Sequence, residues 1–239
     1  GVFMGSRFFV EQQSLSESYE IVTLDFRGHG RSDKSETGHT LPTYARDLEA
    51  FLDARDLKDV VIVGWSMGSL VTWEYVSQFG TDRLHGFVSV EQQPLDLETE
   101  GYEHGVFGFE ELRGLMELAQ TDPHGLAETF IDQMLAEEPS PEVERLLFDE
   151  ISRVPPAIMS AILFDQSVRD YRDALERVDV PTLVCLGEDE TLLETAGVEY
   201  VAEHTPEAEI ARFADSSHCP FLEEPERFNA TLSSFVDSC

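Results

Sequence analysis

Short apolar runs alternate with longer amphipathic stretches along most of the chain. Five runs have the length and the β-branched or aromatic content of buried strands: residues 19–26, 60–65, 86–91, 181–187 and 208–213. The stretches between and after them carry apolar residues at helical spacing. Residues 43–55 place Tyr44, Leu48, Phe51 and Leu52 on one face behind Pro42, which suits a first helical turn. Residues 67–79 form a second helix stopped by Gly80, and residues 192–202 and 225–236 supply two more. Strands that alternate with helices of this length predict βαβ units, hence an α/β fold with a mostly parallel sheet covered on both faces.

One block departs from the alternation. Residues 95–175 contain only helical patterns, at 109–118, 125–135 and 141–151, with Pro155-Pro156 read as a late interruption. This predicts a helical lid inserted into a single core domain. Residues 1–94 form the first part of that core, 95–175 the lid and 176–239 the second part.

Charge narrows the partners. Forty-eight acidic residues oppose sixteen basic ones, a formal net charge of -32. Such a surface repels nucleic acid and anionic membranes, so neither is expected as a partner. Lys34 and Lys58 are the only lysines, and the acids are spread among regular apolar periodicities rather than gathered in a tail. A folded core under a hydrated acidic shell, as in salt-adapted proteins, is the expectation, with a halophilic source. No apolar run reaches transmembrane length and the start has no signal-peptide pattern. Three scattered cysteines suit a reducing compartment, so a cytoplasmic location is expected, with neither disulfide nor metal site.

The candidate chemistry begins at Gly64-Trp65-Ser66-Met67-Gly68, which lies between a predicted strand and a predicted helix. That is the setting of a nucleophile elbow, in which a sharp turn projects the serine Oγ above the sheet edge. The flanking glycines are expected to leave room for the strand and helix to approach. The backbone N–H of Met67 would then be an oxyanion donor at the helix N-terminus. Of seven histidines, His218 lies in the loop after the last predicted strand, where catalytic groups of an open parallel sheet converge, and is the candidate base. His29 is read as a packed loop residue, His85 and His204 as solvated, and His39, His104 and His124 as loop or insertion residues. The acid of such a site falls between serine and histidine in chain order, which points to Glu188-Asp189-Glu190 after the fourth predicted strand. Trp65 has two readings, core packing or a wall of the substrate pocket. Arg27 and Asp33 in DFRGHGRSD are read as loop-fixing charges.

Taken in order, DFRGHGRSD, LPTYARDLEAFLDARDLKDVVIVGWSMGS, PTLVCLGEDE and SSHCPFLEEPERF resemble the α/β-hydrolase-fold serine hydrolases, within them the small esterase, lactonase and cofactor-free haloperoxidase-like group. The resemblance covers the chain outside the lid. It implies an acid three residues after the strand-ending Gly187, which is Glu190 where the family more often has aspartate. Asp189 stays open as the acid, as does Glu91, at a strand end where some relatives of this fold keep theirs. The resemblance also implies a second oxyanion donor just after a His-Gly pair. Gly1 would be that glycine and Val2 the donor, which places the chain's first residue inside a loop normally fed by a central strand. The given sequence is therefore expected to lack its start. The implied function is hydrolysis of a small or medium carboxylic ester, lactone or thioester through an acyl-enzyme on Ser66, with no cofactor. Perhydrolysis with halide oxidation, carbon–carbon bond hydrolysis or a lyase reaction on the same residues, and a non-enzymatic hydrolase-like receptor are the alternatives.

Overall fold

Four strands pair in parallel and in spatial order β1 (Val60–Trp65), β2 (Leu84–Val90), β3 (Thr182–Gly187) and β4 (Ala208–Phe213) in the computed structural model, which describes residues 1–239. The register sets Trp65 beside Val90, Val90 beside Cys185 and Gly187 beside Phe213. The carboxyl ends of all four strands therefore finish together. The residues that follow them, Ser66, Glu91, Glu188 onward and Ala214 onward, rise from one edge of the sheet, the usual place for a site in an open α/β fold.

Helices α1 (Leu41–Ala54), α2 (Met67–Phe79), α8 (Thr195–His204) and α10 (Pro225–Ser238), the last preceded by the short α9 (Pro220–Glu223), flank the sheet at the positions their spacing predicts. Between β2 and β3 lie α3 (Phe109–Thr121), α4 (Pro123–Met134), α5 (Pro141–Ile151), α6 (Pro156–Ser167) and the short α7 (Arg172–Leu175). Caps explain several of their starts. The Asp122 carboxylate accepts the Gly125 N–H ahead of α4, and the Ser140 hydroxyl accepts the Val143 N–H ahead of α5. Pro155-Pro156, expected to interrupt the block, instead opens α6, because proline fixes φ for the first turn and lacks only an N–H the helix would leave unused. The inserted helices share the sheet's core: Leu112, Leu126, Ile131, Leu147, Ile158 and Ile162 belong to the same cluster of 49 buried apolar residues as Phe87, Val88 and Val184. No helix is long and apolar enough to cross a membrane.

The first expected strand does not form. Residues 20–26 have no ladder partner, and Glu20, Ile21, Val22 and Thr23 are exposed. Alternating apolar residues make a strand only when another strand accepts their backbone bonds. The nearest edge, that of β1, faces this segment across an apolar groove of about 660 Å³ lined by Ile21, Leu24, Leu52, Val61, Val63 and Leu232. With no strand on its outer side, β1 is only half-buried from Val60 to Val63. Ahead of this segment the chain runs through two 3-10 helices, Ser6–Phe9 and Glu11–Glu17, which the sequence pattern did not announce.

Candidate functional site

Ser66 sits where β1 turns into α2, with φ 51° and ψ -124°. A positive φ is strained for any residue with a Cβ, and at this corner it is held by several bonds. The Ser66 N–H donates to Val90 O at 2.8 Å, extending the β1–β2 ladder one residue into the turn. The buried Ser69 hydroxyl donates back to Gly64 O at 2.7 Å and accepts from Ser89 Oγ at 3.1 Å. Gly64 is required here, since a Cβ would sit 2.7 Å from the backbone of Gly68 and Ser69. Gly68 is not: a Cβ there meets nothing within 4 Å, so only one of the two flanking glycines serves close approach. Met67 opens α2, and its N–H is among those the helix leaves without an internal partner. Val2 is buried, in a turn whose next residue, Phe3, has φ 65°, and its N–H has no backbone partner.

His218 is 2% exposed, and its Nδ1 lies 3.0 Å from Glu190 Oε2. Glu190 Oε1 accepts the N–H groups of Leu192 at 2.5 Å and Leu193 at 3.2 Å. Burial raises the Glu190 pKa, but the adjoining His218 and the Leu192 N–H outweigh it and hold the carboxyl at about 2. The position three residues after Gly187 thus carries the acid against the histidine. Asp189 does not: it is exposed, its N–H donates to Ser216 O, and its carboxylate has no bond to His218. Glu91, the other alternative, is fully buried beside Glu190 rather than in its place. No hydrogen bond joins the Ser66 hydroxyl to His218.

The loop carrying His218 is fixed from three sides. Trp65 Nε1 donates to His218 O at 2.8 Å, and its ring packs on Phe8 and Phe221 and is 2% exposed, so Trp65 takes the core reading rather than the pocket one. Glu223 accepts the N–H groups of Ser217 at 3.0 Å and Cys219 at 3.2 Å with one oxygen, and that of Ala136 at 2.7 Å with the other. The His218 N–H itself donates to Met134 O at 3.2 Å, and Thr191 Oγ1 to Gln133 O at 3.0 Å. The carboxyl end of α4 therefore rests on both loops that hold the His218–Glu190 pair. Gly187 lets the His218 loop lie on the end of β3, for a Cβ there would overlap the carbonyl oxygens of Ser216 and Ser217.

In the DFRGHGRSD loop Arg27 forms a two-point pair with Asp47, both bonds 2.6 Å, as expected of a loop-fixing charge. The carboxylate that holds the loop's backbone is that of Asp25 rather than Asp33: it accepts the Ser6 and Arg31 N–H groups at 2.6 and 2.8 Å. His29 is fully buried, as its packing role requires, and burial drives its pKa down to about 4.

A model of the alpha/beta hydrolase family matches residues 1–231 of this sequence. The chain belongs to that family. A non-heme chloroperoxidase of Streptomyces lividans is 27% identical across 94% of this hydrolase and 84% of its own length. A 3-oxoadipate enol-lactonase of Acinetobacter baylyi is 25% identical across 94% and 81%. Among solved structures, an esterase from Exiguobacterium antarcticum superimposes with a TM-score of 0.94 over 98% of this chain and 88% of its own, at 24% identity. The fold is thus that of the alpha/beta hydrolases, a parallel sheet flanked by helices.

Donor atoms of Glu91, Glu190 and His218 lie within 4.8 Å of one another, a spacing that a cation would accept. In this hydrolase they are already turned on one another and on backbone N–H groups, so a cation here would have to break the His218–Glu190 bond. Of the residues that sequence spacing singled out, the structure brings His218 and Glu190 into contact and sets Ser66 at the same sheet edge. Sequence spacing did not single out Ser69, Glu223 or Asp25, whose local sequence carries no such mark.

Proposed function

We propose that this alpha/beta hydrolase cleaves a small or medium carboxylic ester, lactone or thioester through an acyl-enzyme on Ser66. The observation that carries the reading is a serine on a strained strand-to-helix corner sharing one sheet edge with a buried, carboxylate-backed histidine. Ser66 Oγ attacks the carbonyl carbon while His218 Nε2 takes its proton. Glu190 holds Nδ1–H toward itself and so keeps Nε2 free to accept. The Met67 N–H, together with that of Val2, stabilises the tetrahedral oxyanion. His218 then protonates the leaving alcohol or thiol, and a water activated by His218 releases the acid.

Relatives that are chloroperoxidases favour a second reading on the same residues, in which hydrogen peroxide instead of water resolves the acyl-enzyme and yields a peracid. One experiment addresses both. An ester, lactone and thioester chain-length panel is run at molar salt with wild type and Ser66→Ala, with and without peroxide. Ester turnover that disappears in Ser66→Ala supports hydrolysis, and peracid formation in excess of hydrolysis favours perhydrolysis. Turnover that survives the substitution overturns the mechanism. Labelling of Ser66 by a fluorophosphonate without steady turnover on any ester would point instead to a ligand receptor, and turnover confined to diketones or cyanohydrins to carbon–carbon chemistry.

A further inference from the structure

Glu91 follows the last residue of β2, and nothing in the mechanism above uses it. Its backbone is left-handed, φ 47°, which a glutamate adopts only against steric strain. The N–H donates to Cys185 O at 3.1 Å, and the preceding carbonyl, Val90 O, accepts from Ser66. The strained residue is thus stitched between the serine corner and β3, with its side chain buried at the sheet edge beside Glu190.

The four oxygens of this carboxyl pair are not equivalent. Glu190 Oε2 faces His218 Nδ1, and Glu190 Oε1 receives two backbone N–H groups. Glu91 Oε1 receives the Gly187 N–H. Glu91 Oε2 is fully buried and no protein donor reaches it. Two carboxylates cannot both stay ionised side by side in so dry a place. Three of the four oxygens have donors suited to an anion, so the proton belongs on the fourth, where it turns an unpartnered acceptor into a donor.

We propose that Glu91 is a positioning residue whose protonated Oε2 donates a hydrogen bond to the Glu190 carboxylate, so that His218 is held by a carboxyl pair sharing one proton and one negative charge. The inference rests on the Ser66–His218–Glu190 reading of the site. Burial and the adjoining Glu190 charge both push the Glu91 carboxyl well above its ordinary range. The other charged groups that act on it are acids, and none is a cation. Glu223 also raises it, and the buried Cys185 and Cys219 thiols are themselves pushed up by burial. The neutral acid fixes the Glu190 rotamer and draws on its charge, and neither effect requires Glu91 to touch substrate.

Three variants test this: Glu91→Gln, whose amide remains a donor, Glu91→Leu, which is not, and Glu190→Gln as reference. The infrared spectrum of wild type minus Glu91→Gln at neutral pH should contain the carbonyl band of an un-ionised carboxylic acid. That readout stands whatever the enzyme's substrate. Phosphonylation of Ser66 by a fluorophosphonate reads the site without assuming an ester substrate, and steady-state kcat reads the proposed reaction. Glu91→Leu should slow both roughly ten- to a hundredfold with KM unchanged, the scale of a hydrogen bond to a charged group, and Glu91→Gln should recover most of that loss. An absent carboxylic-acid band, equal losses in Glu91→Gln and Glu91→Leu, or a wild-type rate in Glu91→Leu would each overturn the proposal. If the band is present and phosphonylation follows the expected order while no ester turns over, the carboxyl pair stands and the ester reading fails.

Discussion

Glu190→Gln is the substitution that bears most directly on the site. Both partners are shielded from water, the Glu190 side chain at 0% exposure and that of His218 at 2%, with 3.0 Å between Oε2 and Nδ1. When His218 takes the Ser66 proton, the new imidazolium is stabilised by the Glu190 charge. At a separation between charge centres of about 4 Å and an effective dielectric of about 20, the attraction is about 4 kcal/mol. At about 1.4 kcal/mol per tenfold this corresponds to roughly 10³ in rate. The amide adds a second penalty. The Leu192 and Leu193 N–H groups demand an acceptor at the Oε1 position, so the amide oxygen stays there and its NH₂ faces His218. His218 must then accept at Nδ1 and carry its proton on Nε2, the tautomer that cannot take a proton from Ser66. The expected loss in kcat is 10³ to 10⁴, about that of the equivalent change in the serine-protease triad, with KM nearly unchanged. The assay is kcat and KM on p-nitrophenyl esters, alongside circular dichroism and urea unfolding to establish that the variant folds. Asp189→Asn, at an exposed side chain without a bond to His218, should stay within about twofold of wild type. A Glu190→Gln enzyme within tenfold of wild type, or an equal loss in Asp189→Asn, would refute the assignment.

The same pair has a stability signature. With Glu190 held at about 2 when folded and about 4.3 when unfolded, its contribution is complete above pH ~4.3 and is lost as pH falls toward about 2. Glu190→Gln should flatten that branch of a urea-midpoint profile. His29 acts in a higher window: at about 4 folded against about 6.5 unfolded, its contribution is full above pH ~6.5 and disappears by about pH 4, on the order of 3 kcal/mol. A non-titrating His29→Gln should remove this slope, and an unchanged slope would refute it. Glu223→Ala leaves the Ala136, Ser217 and Cys219 N–H groups without an acceptor, so a loss of about 3 kcal/mol is expected by urea unfolding, with faster amide exchange at 217–219. A change below 1 kcal/mol would remove Glu223 from that role. Finally, a net charge of -32 repels itself over a Debye length of about 10 Å at 0.1 M salt but only about 3 Å at 1 M. The melting temperature should climb with molar salt, by about 2–4 °C for each kcal/mol of repulsion relieved, and a flat response would refute the acidic-shell reading.

What the sequence made legible follows from how far each feature reaches. Ser66 and the helix behind it are specified within five residues, and the strain at φ 51° needs only the adjoining strand end and Gly64. Glu190 was legible as a count of three from Gly187, though Asp189 next to it could be set aside only when the loop showed which carboxylate turns inward. Residues 19–26 illustrate the opposite case. Their apolar alternation has strand character, but a ladder belongs to two segments at once, and β1 lies across a groove. Pro155-Pro156 is ambiguous for a different reason, since the same pair ends one helix or starts the next depending on which side packs.

Glu91 shows why the site's supporting residues were out of reach. The sequence offered Glu91 only as an alternative to Glu190 and Asp189 for one and the same role, not as a partner of Glu190. Its meaning comes from the register that sets Val90 beside Cys185, which brings residue 91 alongside the end of β3 and hence against Glu190. Glu223 is reached the same way, from a short helix after the histidine to a turn at Ala136 that only the packing of α4 brings near. Catalytic residues obey spacing because a loop after a strand must reach one point above the sheet. The residues that tune them obey register and packing instead. The net charge carries this further: where most acids are solvated, the informative carboxyl is the one denied water, and here that denial falls on the residue that shares a proton with the histidine's partner.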